Sequence, residues 1–572
     1  MITGAQLFVK ALKEENVDVL FAYPGGQIID LLDELYNDDS ISIILPRHEQ
    51  GLAHAADGYA RSSGKIGVCL VTSGPGATNL VTAIATANYD AVPLVCFTGQ
   101  VPTSLIGKNA FQEANIVDMV KSITKYAVTV SKREELGEVI KKAFLIAQSG
   151  KPGAVLIDIP KDIQQQLGRE EYPSCLQISE NLPTLEEQGE QINKAIQSLQ
   201  NAQRPLLLAG GGVRIANAEN ILSKFVEMTG IPVVSTIMGK GSIPSDSSLF
   251  YGNVGIHGSF GANTAIEKCD LLLSIGTRFN DRIAGNKENF AKHAKIIHID
   301  IDPSTISKNI QADVSVLGDA KSILKVLTER AKPLKLSAWI KELDELKSAY
   351  PVKIINDKLN PQMIIEKLNM LFDDIIVATD VGQNQLWTTQ FLQLNDRRKL
   401  LTSGGFGTMG FGLPAAIGAK VANPQIPVVA ILGDGGFQMN VQELATAVIN
   451  NLPIIICLLN NGWLGNVRQW QELYYGKRYQ STCLRRRVSC PTQCATMQEC
   501  PVYVPNFQKL AESYEIKYKR VSNKEDIDSA FSFAMQQTEV PTLLEFMIEE
   551  EENVYPIILP GKDLSTVKFG KE

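Results

Sequence analysis

No run of this sequence is apolar for long enough to cross a bilayer: stretches such as "LPIIICLL" fall well short of the roughly 20 residues a spanning helix needs. Its opening, "MITGAQLFVKALKEEN", reads as an amphipathic helix with acids inside it rather than a secretory leader, so a cytoplasmic location is expected. Positive charge is also scarce. Lys and Arg number 55 against 62 Asp and Glu, a net charge of −7, and the one dense basic run is the arginines at 485–487. Neither nucleic acid nor an anionic membrane is therefore an expected partner, which leaves small molecules. A disulfide framework is missing too, since nine cysteines are an odd number in 572 residues. Five of them, Cys69, Cys96, Cys175, Cys269 and Cys457, are scattered mostly through apolar strand-like stretches and are expected to be buried thiols.

What is present is an alternation. Short β-rich apolar runs separated by helical patterns recur in three series, the pattern of parallel βαβ units. The first holds "VDVLFAYPGG", "KIGVCLVTSGPGATN", "AVPLVCFTGQ" and "AVLIDIP"; the second "RPLLLAGGG", "IPVVSTI", "DLLLSIGTRF" and "KIIHIDID"; the third "DIIVATDVGQN", "IPVVAILGDGG", "LPIIICLLNNGW" and "PTLLEFMI". The intervening 166–190 and 330–360, punctuated by Pro173, Pro183, Pro333 and Pro351, read as linkers. Three doubly wound α/β domains with parallel sheets are expected, at about 1–165, 190–330 and 360–555. In such open sheets ligands lie beyond the carboxyl ends of the strands, where the glycine and acid clusters fall in all three series.

One cluster is informative in itself. The apolar "IPVVAIL" runs into Asp434, set between Gly433, Gly435 and Gly436, and a charge at the end of a buried strand is costly unless something pairs with it. Val441, Leu444, Ala445 and Val448 stand at helical spacing, so a helix is expected just beyond Gly436, with amino-terminal amides able to receive a phosphate. The next strand, "IIICLL", ends in Asn460 and Asn461, and neighbouring strands would join Asp434 and Asn461 as an all-oxygen pair suited to Mg²⁺. Asp-Gly alone is a common turn dipeptide. An acid, a helix and a second strand closing on paired asparagines, however, resemble the diphosphate and metal motif of thiamine diphosphate enzymes.

The resemblance extends along nearly the whole chain. "YPGG", "RHEQG", "SGPGATN", "TGQVPT", "FQEA", "PGAVLIDIPKD", "GTRFNDR", "TDVGQNQLW", "GTMGFGLPAA" and "LNNGWLGNVRQWQE" stand in the order and at the spacings of the catalytic large subunit of acetohydroxyacid synthase, or acetolactate synthase. The resemblance implies pyrimidine-binding, central and diphosphate-binding domains. It also implies an activity: pyruvate is decarboxylated on thiamine diphosphate, and the hydroxyethyl carbanion condenses with a second pyruvate or with 2-ketobutyrate in branched-chain amino acid biosynthesis.

Residue by residue, the resemblance assigns Glu49 to proton exchange with the cofactor's pyrimidine ring, opposite a diphosphate held by a second copy, so that a homodimer or tetramer carries its active sites at the dimer interface. A regulatory small subunit is a further implied partner. Met409 matches the residue beneath the cofactor; Val381, Gly382, Gln383 and Asn384 match positions around the diphosphate, Gly407 one near the pyrimidine, and Gly26 a pocket position. Asn384 replaces a usual His and Gln27 a usual Ala. Mg²⁺ would be held by Asp434, Asn461 and the carbonyl of Trp463. Phe111 and Gln112 match residues lining the substrate site, Lys161 and Arg282 positions near its entry, and Trp470 the aromatic that selects 2-ketobutyrate. The central domain would hold FAD on Gly210, Gly211, Gly212, Gly276, Thr277, Arg278 and Asp300. Lys151 stands there for a usual Arg and Ile256 for a usual Met, and a lysine cannot make a bidentate guanidinium contact.

Each assignment has a plainer counterpart. Glu49 could simply stabilise a helix amino terminus, Met409 could be core filler, and lone Lys and Arg residues are usually solvated. Rival functions are another thiamine diphosphate-dependent 2-ketoacid decarboxylase or carboligase, a catabolic acetolactate synthase without FAD, and a non-catalytic assembly partner. The joint presence of Glu49, Met409, Asp434 and Asn461 argues against the last. The segment "CLRRRVSCPTQCATMQEC" looks like an insertion. Its Cys483, Cys490, Cys494 and Cys500 could hold zinc or an iron–sulfur cluster or stay as reduced thiols, because the spacing lacks paired CxxC knuckles.

Overall fold

The structure is a computed structural model that describes residues 1–177, 182–490, 500–559 and 561–570. Three six-stranded parallel sheets carry the three apolar series. Sheet one holds β1 (Val19–Tyr23), β2 (Ser42–Ile44), β3 (Gly67–Val71), β4 (Leu94–Gln100), β5 (Tyr126–Thr129) and β6 (Ala154–Pro160), in the order β2-β1-β3-β4-β6-β5. Sheet two holds β7 (Pro205–Ala209), β8 (Val233–Ser235), β9 (Phe250–Asn253), β10 (Leu271–Ile275), β11 (Lys295–Asp300) and β12 (Val314–Leu317), in the order β9-β8-β7-β10-β11-β12. Sheet three holds β13 (Ile375–Thr379), β14 (Arg398–Leu401), β15 (Val428–Gly433), β16 (Ile454–Asn460), β17 (Lys517–Val521) and β18 (Thr542–Met547), in the order β14-β13-β15-β16-β18-β17. The first and third orders are the same when counted from each sheet's first strand. The second is the dinucleotide-binding order.

Continuous apolar strands follow from burial on both faces. Along β4, Val95 and Phe97 enter one core cluster while Leu94 and Cys96 enter the other, the period of two expected of a strand. Each such fully buried large side chain contributes roughly 1.5–3 kcal/mol. Phe97 also meets Phe8 edge-on at 4.9 Å, so truncating it would cost about 3–5 kcal/mol.

The sheets fall into two compact units. One contains 1–180, 375–384 and 400–550, and so both sheet one and most of sheet three; the other contains 181–374, 385–399 and 551–572 with sheet two. In the first unit the helix Glu49–Ser63 lies directly against the helix Gly412–Ala422. A Cβ on Gly58 would come within 2.2 Å of the Ala415 carbonyl oxygen, and one on Gly418 within 1.7 Å of that of Ala55, so the backbones touch only because these positions have no side chain.

Three expectations need correction. Cys175 is exposed, because it stands outside the strands that bury Cys69, Cys96 and Cys457 and outside the helix end that buries Cys269. The stretch 330–360 is not merely a linker: its helix Ser337–Ala349 inserts Trp339, whose Nε1 donates to the Pro205 carbonyl at 3.0 Å. The helix after β15 begins at Asp434 itself, runs to Met439, and is followed by a second helix, Glu443–Ile449. Gly435 and Gly436 are therefore its first-turn residues rather than its approach.

Candidate active site

In sheets one and three the strand order reverses between the first and third strands, which opens a crevice at their carboxyl ends. In sheet three those strands are β13 and β15, and each runs into a buried acid. Asp380 follows β13, and both Asp380 and Asp434 are 1% exposed. The Asp380 carboxylate accepts the Val381 amide at 2.8 Å, the Gly410 amide at 3.0 Å and the Gly412 amide at 3.1 Å. It thereby fastens the loop bearing Met409 to the end of β13, although burial still pushes its carboxyl up to about 6. A Cβ on Gly436 would lie 2.3 Å from Asp380 Oδ1, so that glycine makes room for this acid.

Asp434 caps the other strand. Register pairs Gly433 with Leu459, so the 460–463 turn lies alongside it. Its Oδ2 accepts the Gly462 amide at 2.8 Å and its Oδ1 the Gly435 amide at 3.1 Å. Burial nevertheless pushes the carboxyl up to about 7, and a bound dication would favour its charged form. Asn461, also buried, accepts the Trp463 amide on Oδ1 at 3.0 Å and donates to Gln383 Oε1 at 3.3 Å; Gln383 in turn donates to Gln469 at 3.2 Å. Positions on Gly382 and Gly433 where a Cβ would stand lie 3.5 and 3.3 Å from the Asn384 amide nitrogen, and that on Gly435 lies 3.8 Å from Met409 Cε. Thus Gly382, Gln383, Asn384, Met409, Gly433, Asp434, Gly435, Gly436, Asn461 and Trp463 share one end of one sheet. A buried carboxylate, an amide oxygen and glycines whose backbone can be approached form an oxygen-rich cradle that fits a dication and a diphosphate.

Glu49 is the first residue of the helix Glu49–Ser63, capped by His48, whose Nδ1 accepts the Gln50 amide at 3.1 Å. Its Oε2 accepts from Asn79 Nδ2 at 2.9 Å, and a Cβ on Gly76 would stand 3.5 Å from Oε1, so the carboxylate faces the "SGPGATN" turn. The segment before it is held from sheet three: the buried Glu443 carboxylate accepts the Arg47 amide at 3.1 Å and the Thr446 hydroxyl at 2.7 Å, and also bonds the His48 amide. Lys161 is not a free surface cation. Its Nζ donates to the Gly26 carbonyl at 2.7 Å and pairs with Asp30 at 3.3 Å. Gln112, at φ +58°, lays its backbone carbonyl 2.8 Å from where a Cβ on Gly74 would be.

Other assigned residues are not gathered in. Phe111 is 85% exposed, and Gly26 and Gly407 face open space. Trp470 is half-buried edge-on to Tyr474 at 5.9 Å. Lys151 lies in the turn before β6. Arg282 belongs to the other compact unit, exposed, with Asp281 at 3.6 Å. Asp380 and Glu443 were missed by sequence reasoning. Asp380 carries the same signal as Asp434, an acid at the end of an apolar strand, and could have been found by it; Glu443 sits inside a helical pattern and gives none.

In sheet two the reversal lies between β7 and β10, where Gly210 and Gly276 cross so closely that a Cβ on Gly210 would meet the Gly276 carbonyl oxygen at 2.1 Å. Gly212 donates to that same oxygen at 3.2 Å, with Gly211 between them and Arg278 just beyond. The buried Thr277 and Ser274 hydroxyls and His298 Nδ1 have no protein partner there, and Asp300 accepts the Asp302 amide at 2.9 Å. Unsatisfied polar groups around a glycine crossing fit a nucleotide.

Cys494 lies outside the described residues. Among those described, no cluster of three or more His, Cys, Asp or Glu side chains could hold a metal, and Cys490 Sγ accepts the Arg487 amide at 3.2 Å. Nor, among the described residues, is any helix long and apolar enough to cross a membrane.

Comparison with known proteins supplies the rest. Residues 2–119 match the thiamine pyrophosphate enzyme N-terminal TPP binding domain, 192–327 the central domain and 380–546 the C-terminal TPP binding domain. The probable acetolactate synthase large subunit of Methanococcus aeolicus is 44% identical over 99% of this chain and 95% of its own length. The chloroplastic acetolactate synthase of Arabidopsis thaliana is 44% identical over 99% of this chain and 84% of its own. The large subunit from Corynebacterium glutamicum is 41% identical over 99% and 90%. With three thiamine pyrophosphate domains in sequence and full-length identity at this level, the chain belongs to the thiamine diphosphate-dependent enzymes, in the family of acetolactate synthase large subunits.

Proposed function

We propose that this chain makes 2-acetolactate from two pyruvates, and 2-aceto-2-hydroxybutyrate from pyruvate and 2-ketobutyrate, for valine, leucine and isoleucine biosynthesis. The observation that carries the site reading is the pair of buried acids, Asp380 and Asp434, at the two strand ends flanking the crevice of sheet three. Bound thiamine diphosphate supplies a carbon nucleophile that also stabilises the charge left when CO₂ departs. The chain's residues hold it and manage its protons. Asp434, Asn461 Oδ1 and the Trp463 carbonyl take Mg²⁺; Gln383, Asn384 and the glycines at 382, 433, 435 and 436 take the diphosphate. Met409 supports the cofactor from below, its loop held by Asp380.

Glu49 passes a proton between its carboxylate and the pyrimidine nitrogen. Asn79 orients one of its oxygens and Glu443 the preceding backbone. It acts on a cofactor held by a second copy, so that a dimer is the smallest active unit. Gln112 and Phe111 line the substrate position, Lys161 its entry, and Trp470 packs against the second ketoacid. FAD occupies the glycine crossing of sheet two as a structural group, since the net reaction is not a redox one. A regulatory subunit is a further partner.

The test is to incubate the purified protein with pyruvate, thiamine diphosphate and Mg²⁺, with and without FAD and 2-ketobutyrate, and identify products. Branched acetohydroxy acids support the reading. Acetaldehyde or acetate in their place would assign a decarboxylase or oxidase.

A further inference from the structure

Residues 402–411, "TSGGFGTMGF", form the loop that carries Gly407 and Met409, and four of these ten residues are glycine. Gly407 and Gly410 adopt φ of +74° and +90°. So glycine-rich a segment has much backbone freedom to lose, and its shape depends on what holds it. Asp380 fastens the Gly410 end. The other end is held from the side of sheet one, by the helices Glu49–Ser63 and Val81–Tyr89. Asp90, the C-cap of the second helix, accepts the Gly405 amide on Oδ1 at 2.7 Å. Arg61, in the last turn of the first, donates from Nη1 to the Thr402 carbonyl at 3.0 Å and lies over the Phe411 ring at 5.2 Å. The Thr86 and Thr408 hydroxyls meet at 2.6 Å, and because Thr86 already donates to the Thr82 carbonyl at 2.9 Å, Thr408 is the donor between them.

Arg61 is the joint of this clamp. Its guanidinium is shared between Asp57, one turn earlier on the same helix, and Asp90, whose Oδ2 it meets at 3.0 Å; both carboxylates are buried. One cation between two buried acids leaves the trio net negative, and the acceptor capacity left on Asp90 goes to the Gly405 amide in a charge-assisted bond. A lysine in place of Arg61 could not reach both acids and the Thr402 carbonyl, because it lacks the planar fork. Apolar packing does less for the middle of the loop: Phe406 leans on Tyr89 at 5.1 Å, with both rings nearly half exposed. The hydrogen bonds therefore determine where the loop lies.

We propose that Asp90, Arg61 and Thr86 are positioning residues for the bound cofactor: from the side of sheet one they fix the 402–411 loop, and with it the place at which Gly407 and Met409 support the cofactor. This rests on the reading of that loop as the cofactor's support. A loop fixed before binding keeps the reacting groups in register, and a displacement of about 1 Å in such a support can cost roughly 100-fold in rate.

Asp90→Ala is the variant that tests this, because Arg61 keeps Asp57 as its partner and no buried charge is left unpaired. Amide hydrogen exchange of the peptide covering 402–411, followed in cofactor-free full-length protein, should quicken about tenfold or more, while peptides from sheet two exchange as in wild type. With saturating thiamine diphosphate and Mg²⁺, deuterium exchange at the cofactor's reactive carbon should slow roughly 10- to 100-fold. The half-saturating cofactor concentration should change far less, because the diphosphate end is untouched. Thr86→Val, which replaces a hydroxyl by a methyl, should act in the same direction by less, and it carries the test if Asp90→Ala does not fold. A loop peptide that exchanges as in wild type in both variants overturns the proposal, as does a faster-exchanging loop with carbon exchange at the wild-type rate. Met409→Ala serves as the control: if it too leaves carbon exchange unchanged, the loop does not support the cofactor; if it slows that exchange while Asp90→Ala and Thr86→Val do not, only the clamp fails.

Discussion

Sheets one and three have the same strand order, and the same crevice opens in each between the first and third strands, yet they end their strands differently. In sheet three β13 and β15 run into Asp380 and Asp434, both buried. In sheet one β1 runs into Pro24, Gly25 and Gly26 and β3 into Thr72, Ser73 and Gly74, with Gly25 pressed onto Thr72 so closely that a Cβ would come within 2.4 Å. Topology thus supplies a crevice twice, and the residues at the tips differ: acids in sheet three, small and hydroxyl-bearing residues in sheet one. Glu49, the acid we propose for proton transfer on the side of sheet one, sits instead at a helix start, only half-buried.

Glu49→Gln is the most severe way to break that division. It leaves cofactor binding to sheet three and should lower turnover and hydrogen–deuterium exchange at the cofactor's reactive carbon by roughly 10²- to 10⁴-fold, because an amide cannot carry the proton. Turnover near wild type would remove Glu49 from the chemistry. Asp434→Ala attacks the other sheet. The Mg²⁺-dependent affinity for thiamine diphosphate, read by calorimetry, should fall at least as far as the roughly 100-fold that losing an outer-shell partner can cost, and equal affinity in the variant would place the metal elsewhere.

Trp470→Leu should leave both sheets intact and alter only selection between the two ketoacids. One methylene in an apolar pocket is worth roughly 1–3 kcal/mol, so the preference for 2-ketobutyrate should drop severalfold to tens-fold when both substrates compete. An unchanged product ratio would make Trp470 a packing residue against Tyr474. The smallest effect concerns an acid inside sheet one rather than at its tip. Asp158 on β6 accepts from Thr98 at 2.7 Å, Gln100 at 2.9 Å and Thr129 at 3.1 Å, yet burial pushes its carboxyl up to about 6 from the usual 3.8. Between those values the native state binds the proton that the unfolded chain has released, so stability falls as pH rises through that window. In Asp158→Asn the decline in apo-protein melting temperature from pH 4 to 6 should be shallower. A slope identical to wild type would show that Asp158 is ionised throughout.

The alternating apolar runs, the acid at 434 and the paired asparagines were legible because each is a local pattern: period, turn glycine, strand end. Asp380 shares that pattern and went unread only because its strand, "DIIVATD", is followed by residues assigned by resemblance. Lys161 was matched by resemblance to a position near substrate entry, with a solvated surface cation as the plainer reading, and nothing near it in sequence announces that the Gly26 carbonyl and Asp30 receive its ammonium group. Glu443 lies in a stretch that reads as a helix, so its partners could not be named.

By itself, then, the chain determined its family, three α/β series and an acid-tipped strand suited to phosphate and metal, since glycine spacing and hydrophobic period act within a few residues. Tertiary structure alone decided the rest. It gave sheets one and three one strand order and sheet two another, and it drew the 408–412 loop onto Asp380, 30 residues before Gly410. It also brought Glu443 to the Arg47 amide, 396 residues away. The physical reason is that a buried carboxylate must find amide or hydroxyl donors, and which ones it finds depends on how the sheets and helices pack.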